Sequence, residues 1–572
     1  MRLMGRLGFA ILMTTIMAAS GAASGRKQAR SMVITTRGIV ATSQTLASVA
    51  GAEILARGGS AVDAAIAANI ALTVVEPMMN GMGGDLFVMR RDAATGEITG
   101  LNASGWAPAG LTRELLAEKG YSSMPQAGIL SATVPGCVAG WEALHRRYGK
   151  LPWAELFRPA IYYAENGFPV TEWIHQYWVD AVAKLETDAA GKRIFLPRGR
   201  PPEVGEVFRN PDLAGALRLV AEHGAEAFYR GPIAEAILAT SKRLGGVFSA
   251  ADLAEYEPEW VEPIATEYRG WKIYELPPNG QGMAALEMLN IMEQFDLGGL
   301  DQTSGEAFHI KIEAQKLAYQ DLNRYLGDPR FVRVPVAELL SKDYAARRAK
   351  LIDRNRARCD VQPGSPWPPT GDTVYLTVVD RNGNIVSLIQ SIYLAFGSGV
   401  VVDGFGFHLQ NRGGLFTLEE GHPNELQPRK RPFHTIIPGL MEKGNRHIGF
   451  GIMGGLNQAQ AHAQFVSNIV DHGMNIQLAL EAPRFTKLDF GGCGVSIESR
   501  LPEETLSGLR RWGHQLEVLE DFASPMGGGQ AVLFDSATGV KYGASSPRKD
   551  GAAAPEPDPY FQQKQQPAAP AG

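Results

Sequence analysis

The sequence predicts a globular chain of mixed helix and strand, and three stretches carry that expectation. Ser60-Ala61-Val62-Asp63-Ala64-Ala65-Ile66-Ala67-Ala68 is a run of strong helix formers behind a serine that can cap it. Thr303 to Asp328 is rich in Ala, Lys, Glu and Tyr with the periodicity of an amphipathic helix. Thr373 to Val379 is a β-branched run, Asp380-Arg381-Asn382-Gly383-Asn384 supplies an Asn-Gly turn, and Ile385 to Ser391 is a second strand, together a hairpin.

Taken in order, the chain opens with a basic stretch, Met1-Arg2-Leu3-Met4-Gly5-Arg6. Leu7 to Ala19 is apolar, and Ala18 to Gly25 holds only Ala, Ser and Gly. Residues 1–25 therefore read as a secretory leader, and the protein as periplasmic or secreted. The apolar run is too short for a stable membrane anchor. A start at Met32 would remove the leader and leave a cytoplasmic protein. Ile39 to Val75 reads as largely helical, interrupted at Gly58-Gly59. Met78 to Asp85 is a glycine-dense turn ahead of the strand-like Leu86-Phe87-Val88-Met89, and 110–260 reads as helices and loops. Pro363-Gly364-Ser365-Pro366-Trp367-Pro368-Pro369-Thr370-Gly371 excludes regular structure, so about 361–371 is expected to be an exposed, mobile loop. Residues 551–572, mostly Ala, Pro, Gln and charge, read as a disordered tail.

Composition narrows the function. A chain that is 45% hydrophobic and 20% charged is neither wholly disordered nor fibrous. Its formal charge of −5, without recurring Lys/Arg runs, excludes nucleic acid as a partner. Cys137, Cys359 and Cys493 form no CxxC pair, and the three are read as small buried apolar residues, not as a disulfide framework. There is no HExxH or comparable ligand spacing, so neither metal nor cofactor is expected.

The junction at 371–373 has a chemical use. A threonine hydroxyl is a weak nucleophile until a base takes its proton. A free α-amino group has a pKa of about 7.7–8.0, near working pH. A cut before Thr373 would let one residue supply nucleophile and base together. A loop upstream lets the new end swing away, and a strand downstream holds the nucleophile still.

Gly371-Asp372-Thr373-Val374-Tyr375-Leu376-Thr377-Val378-Val379-Asp380-Arg381-Asn382-Gly383-Asn384 closely resembles the start of the small subunit in γ-glutamyltranspeptidases. The likeness extends over about residues 35–550. It takes in Gly58-Gly59-Ser60-Ala61-Val62-Asp63-Ala64, Gly81-Met82-Gly83-Gly84-Asp85, Val134-Pro135-Gly136 and Pro277-Pro278-Asn279-Gly280-Gln281-Gly282. Downstream it includes Phe396-Gly397-Ser398-Gly399, Leu409-Gln410-Asn411, Arg429-Lys430-Arg431-Pro432, Gly451-Ile452-Met453-Gly454-Gly455, Ala482-Pro483-Arg484 and Tyr542-Gly543-Ala544-Ser545-Ser546-Pro547-Arg548. The resemblance implies an α+β fold, the four-layer αββα sandwich of N-terminal-nucleophile hydrolases. It also implies self-cleavage between Asp372 and Thr373. That would give a large subunit, 26–372, and a small catalytic subunit, 373–550, held together as a heterodimer. By the same resemblance Thr373 is the nucleophile, Ser391 supplies the hydroxyl that bonds it, and the N–H groups of Gly454 and Gly455 form the oxyanion hole. A donor of that kind is worth about 2.7–4 kcal/mol.

The substrate positions depart from the family. The arginine that grips the γ-glutamyl α-carboxylate falls at Ser104, and a Ser-Ser pair that also contacts it becomes His434-Thr435. The ammonium-binding aspartate falls at Leu415, a supporting Asn becomes Tyr393, and a Gln or Glu becomes Arg412. Losing both charged clamps should make γ-glutamyl donors such as glutathione poor substrates. Arg412 offers a planar cation suited to a carboxylate. The expected substrate is thus a small-molecule amide whose acyl group carries an acid and no adjacent amine. Two blander readings stand beside this, Arg412 facing solvent or a structural acid and His434 as a packed core residue. The sequence leaves open hydrolysis against acyl transfer. Two alternatives remain, a true γ-glutamyltranspeptidase acting on glutathione and a non-catalytic exported binding protein of the same fold.

Overall fold

Side chains on the strand Asp372–Val379 alternate between two interiors. Val374, Leu376 and Val378 join an apolar cluster with the helices Thr45–Ala56 and Ala61–Val75. Tyr375 and Val379 join a different cluster, with Phe87, Ile385, Ile436 and Val532. That period-2 sorting is what a strand buried on both faces must show. In the computed structural model, which describes residues 28–360 and 372–560, this strand is central in a seven-stranded sheet. The sheet runs Ala552–Pro555, Ile39–Thr42, Asp372–Val379, Ile385–Tyr393, Asp85–Arg91, Ile98–Ala103, Glu259–Val261. The second seven-stranded sheet runs Val33–Thr35, Val540–Ser545, Gly529–Asp535, Arg446–Ile452, Gly439–Lys443, Trp271–Glu275, Ile264–Tyr268. Its outer face carries the helices Gly282–Met292, Gly305–Tyr325 and Asn457–Val470 over their own apolar core. The architecture is the expected α+β, four-layer αββα sandwich.

The sheets meet closely at one place. A Cβ on Gly451 would collide with the Tyr375 ring, and one on Gly449 with the Thr377 hydroxyl. Two glycines on one strand thus let the second sheet approach the strand that begins with Thr373. The predicted hairpin is present, with Asp372–Val379 antiparallel to Ile385–Tyr393 and Gly383 in the turn at φ +87°. The predicted helices are Ala61–Val75, capped by Ser60 and Asp63, and Gly305–Tyr325.

Three expectations are corrected. Ile39–Thr42 is a strand and not the start of a helix: its β-branched residues pair with Leu376–Val379, and a short fully buried strand has no period that distinguishes it from buried helix. The tail is ordered where it begins, because Ala552–Pro555 pairs with Ile39–Thr42 through backbone groups that composition does not reveal. Glu556 then buries its carboxylate against Arg37 at 2.7 Å, Arg381 and the Gly38 N–H. Cys359 and Cys493 form a disulfide across a separation of 134 residues, while Cys137 is buried and free as read. The leader 1–25, the loop 361–371 and residues 561–572 lie outside the described residues.

The fold gathers His309, Glu313 and His514 within 4.8 Å, a set no local spacing announced. Lys316 pairs with Glu313 at 2.7 Å, and His309 bonds both His514 and the Asp353 carbonyl, which leaves His514 Nδ1 without a partner among the described residues. Among the described residues no helix is long and apolar enough to cross a membrane.

One buried acid sets a pH dependence. Glu287, on Gly282–Met292, has its carboxyl pushed well above the usual carboxylate range by burial and by Asp321 beside it. Folding favours the protonated form, so the stability it allows is present below the unfolded value and is lost as pH rises, by at most about 1.4 kcal/mol per pH unit. Glu287→Gln should raise the urea midpoint at pH 8 and leave it nearly unchanged at pH 4.5.

Candidate active site

Thr373 is almost wholly buried, 1% exposed, at the start of the central strand. The ladder to Ile385–Tyr393 shifts register between Asp372 and Val374, so Thr373 sits in an irregularity of the kind that re-aims a side chain. Its Oγ1 donates to Ser391 Oγ at 3.3 Å and accepts from Gln458 Nε2 at 3.3 Å. Ser391 Oγ is itself fixed by the Tyr393 N–H at 2.8 Å. Thr373 and Ser391 are thus brought together. Gln458 was missed, and its only signal is its place three residues after the glycine pair.

Gly454 and Gly455 turn the chain from the strand Arg446–Ile452 into the helix Asn457–Val470, with φ of +118° and +60°. Both values lie where glycine is favoured. The turn is pinned from outside: Asn457 Nδ2 donates to the carbonyls of Met453 and Met526, and Gln281 Nε2 to that of Gly455 at 2.8 Å. Arg484, itself buried, holds the carbonyls of Met526 and Gly527 at 2.9 and 2.7 Å. Among the described residues the N–H groups of Gly454 and Gly455 have no acceptor. Two free amides at a helix N-terminus, linked to the Thr373 hydroxyl through Gln458, suit a developing oxyanion.

The residues that replace the family's substrate contacts form one buried group. Arg412 is fully buried in the turn Arg412–Leu415, with its guanidinium 4.7 Å from the Tyr393 ring centroid. Its Nη1 donates to Thr435 Oγ1 at 2.6 Å, and its Nε and Nη2 have no partner among the described residues. Burial lowers its pKa to about 10, against the pull of Asp85 and Tyr393, so it stays cationic at neutral pH. His434 Nε2 lies 2.8 Å from Asp85 Oδ2, and its Nδ1 accepts the Ile436 N–H at 3.4 Å. Burial and the Arg412 charge push its pKa down to about 4. His434 is therefore a neutral imidazole donating from Nε2 to Asp85. Asp85 also takes the Gly105 N–H at 2.9 Å and Gln410 Nε2 at 2.8 Å. The Leu409-Gln410-Asn411 segment is thereby tied down, with Asn411 Oδ1 accepting the Leu394 N–H at 3.0 Å.

Ser104 is placed differently from a direct clamp. It is buried with its hydroxyl 2.7 Å from Asn102 Oδ1 and within hydrogen-bonding distance of the Asn279 amide. Asn279 also bonds the Pro432 carbonyl at 2.7 Å and accepts the His434 N–H at 2.9 Å. Ser104 thus steadies the segment leading to His434. Leu415 is buried at the far end of the Arg412 turn and brings no charge.

A four-layer sandwich with a threonine hydroxyl at the head of a central strand, joined through Gln458 to a glycine turn, defines an enzyme of the N-terminal-nucleophile hydrolase and acyltransferase class. The gamma-glutamyltranspeptidase family model matches residues 47–556, and the chain belongs to that family. The glutathione hydrolase-like YwrD proenzyme of Bacillus subtilis is 38% identical over 526 residues, 91% of this chain and 99% of that protein. The oxamate amidohydrolase proenzyme of Klebsiella pneumoniae is 35% identical over 534 residues, again 91% and 99%. The crystal structure of cephalosporin acylase from Bacillus halodurans superposes with a TM-score of 0.86 at 44% identity, covering 92% of this chain and 97% of that one.

Asp85→Asn would remove the charge that three donors and the Arg412 field are built around. It should destabilise the protein by about 2–3 kcal/mol, because buried charge-assisted hydrogen bonds are lost together. Denaturant unfolding against the unaltered chain measures this.

Proposed function

We propose that the protein is a self-processing amidohydrolase or acyltransferase whose acyl donor carries a carboxylate and no α-amine. The observation that carries this is the free edge of Arg412. Nε and Nη2 lie on one side of the guanidinium, the two-donor edge that matches a carboxylate, and both are buried without a partner among the described residues. Leu415, a buried apolar residue, offers an ammonium nothing. Oxamate, named for the Klebsiella relative, is an amide of this kind, with an acid and no amine.

In the proposed cycle the chain is cut between Asp372 and Thr373, giving a large piece that ends at Asp372 and a small catalytic piece that begins at Thr373 and carries the strand Ala552–Pro555. The freed α-amine takes the hydroxyl proton, and Thr373 Oγ1 attacks the amide carbonyl. The oxyanion rests on Gly454 and Gly455, and the amine leaves. Water then releases the acid, or a second amine takes the acyl group. Ser391 orients the hydroxyl through its 3.3 Å contact. His434 and Thr435 support the binding group: the first leads its hydrogen bond to Asp85, the second holds Arg412. Tyr393 gives Arg412 a ring face. Export is part of the proposal, supported by the Cys359–Cys493 disulfide, which persists in oxidising compartments.

Three measurements test this reading. Thr373→Ala should leave a single uncut chain on a denaturing gel, whereas the unaltered chain gives two fragments, the smaller beginning at Thr373. The mature enzyme should turn over glutaryl-p-nitroanilide in preference to γ-glutamyl-p-nitroanilide. Arg412→Gln should lower kcat/KM for the glutaryl donor by about 2–4 kcal/mol in free energy. A γ-glutamyl preference would overturn the substrate assignment.

A further inference from the structure

Gln458 has one orientation open to it. Its Oε1 accepts the Ile437 N–H at 3.0 Å, and a backbone N–H can only donate. The amide nitrogen must therefore lie on the other side, where it is 3.3 Å from Thr373 Oγ1. The side chain is fully buried on the first turn of Asn457–Val470, and its own N–H bonds the Gly455 carbonyl at 3.2 Å. One helical turn thus joins the glycine pair to the nucleophile.

A primary amide cannot take the hydroxyl proton, so Gln458 is not the base. A fixed N–H donor does little for a neutral alcohol and much for an oxygen gaining negative charge. In self-cleavage, Oγ1 bonds to the Asp372 carbonyl carbon. The C–N bond to Thr373 then breaks, and the amine keeps the hydroxyl proton. Water next adds to the ester carbon, the C–Oγ1 bond breaks, and a proton from that water passes to Oγ1. Asp372 is left with a new carboxyl group and Thr373 with a free amine and hydroxyl. In the first half the charge leaves on nitrogen; in the second it returns to Oγ1. The same return of charge ends each turnover, when the acyl-enzyme is hydrolysed.

We infer that Gln458 is a catalytic hydrogen-bond donor to the departing Thr373 oxygen, acting in breakdown of the Thr373 ester and not in its formation. The inference rests on Thr373 being the nucleophile. It assigns Gln458 one role in two reactions, maturation and turnover.

Self-cleavage gives a test that needs no substrate. The full chain and its Gln458→Met and Gln458→Glu variants are purified, and the fraction cut at 372–373 is followed on denaturing gels with and without neutral hydroxylamine. Hydroxylamine cleaves esters and, under these conditions, spares peptide bonds. Gln458→Met should be cut at least tenfold more slowly and hold its chain as the ester, so hydroxylamine should cut it at 372–373 while leaving Thr373→Ala intact. Gln458→Glu should be cut faster at pH 5 than at pH 8, since only the protonated carboxyl can donate. Cutting of Gln458→Met within twofold of the unaltered chain would overturn the inference, as would a variant that keeps its melting temperature but stays uncut in hydroxylamine. If Gln458→Met fails to fold, Gln458→Glu decides, and a rate equal at both pH values would sink the idea. An unaltered chain never cut at 372–373 would remove the nucleophile assignment and this inference with it.

Discussion

Everything around Thr373 is referenced to a strand that cannot shift. Asp372–Val379 has a hydrogen-bonded neighbour on each side, a helical layer against Val374, Leu376 and Val378, and a second sheet against Tyr375. A slip of one residue would turn each of those side chains toward the wrong interior. The glycines at 449 and 451 let the second sheet come close enough to present its own end, Gly454-Gly455, to the first. Thr373 and the glycine pair therefore belong to different sheets, and their spacing is an outcome of sheet packing. Precise placement of that kind is what preorganised catalysis requires.

Arg412 is an unfinished contact in the interior of the fold. Burying a guanidinium costs several kcal/mol after relaxation. Thr435, the Tyr393 ring and the nearby Asp85 offset part of that cost, and two donors are left over among the described residues. If the proposed acid binds at that edge, it would recover free energy that the fold forgoes without it. His434 is neutral, so Arg412 is not faced by a second cation there.

Much of this was legible in the sequence, for reasons that differ by residue. The hairpin was readable because β-branched residues and Asn-Gly act locally. Thr373, Ser391, Gly454 and Gly455 were readable because their surroundings match a family in order. Arg412 was readable as a departure from that family, though only the structure separates a free guanidinium edge from a solvated one. Ser104 lay at a position expected to face substrate, and its hydroxyl turns instead to Asn102 and Asn279. Gln458 was invisible because its meaning depends on Ile437 and Thr373, which lie in distant parts of the chain. Ile39–Thr42 and Ala552–Pro555 escaped for a related reason: their pairing runs through backbone atoms that every residue carries.

The Cys359–Cys493 bond acquires a different meaning in a divided molecule. In the intact chain it closes a loop, and its contribution is one of unfolded-state entropy. A cut before Thr373 falls inside that loop, and covalent continuity between the two pieces then runs through sulfur alone. The pieces would remain unimolecular, so dilution could not part them and neither could exchange with a piece from another molecule. Reduction would convert their association into an ordinary bimolecular equilibrium, dependent on concentration. The redox state of its surroundings would thus decide whether the mature protein is one molecule or two.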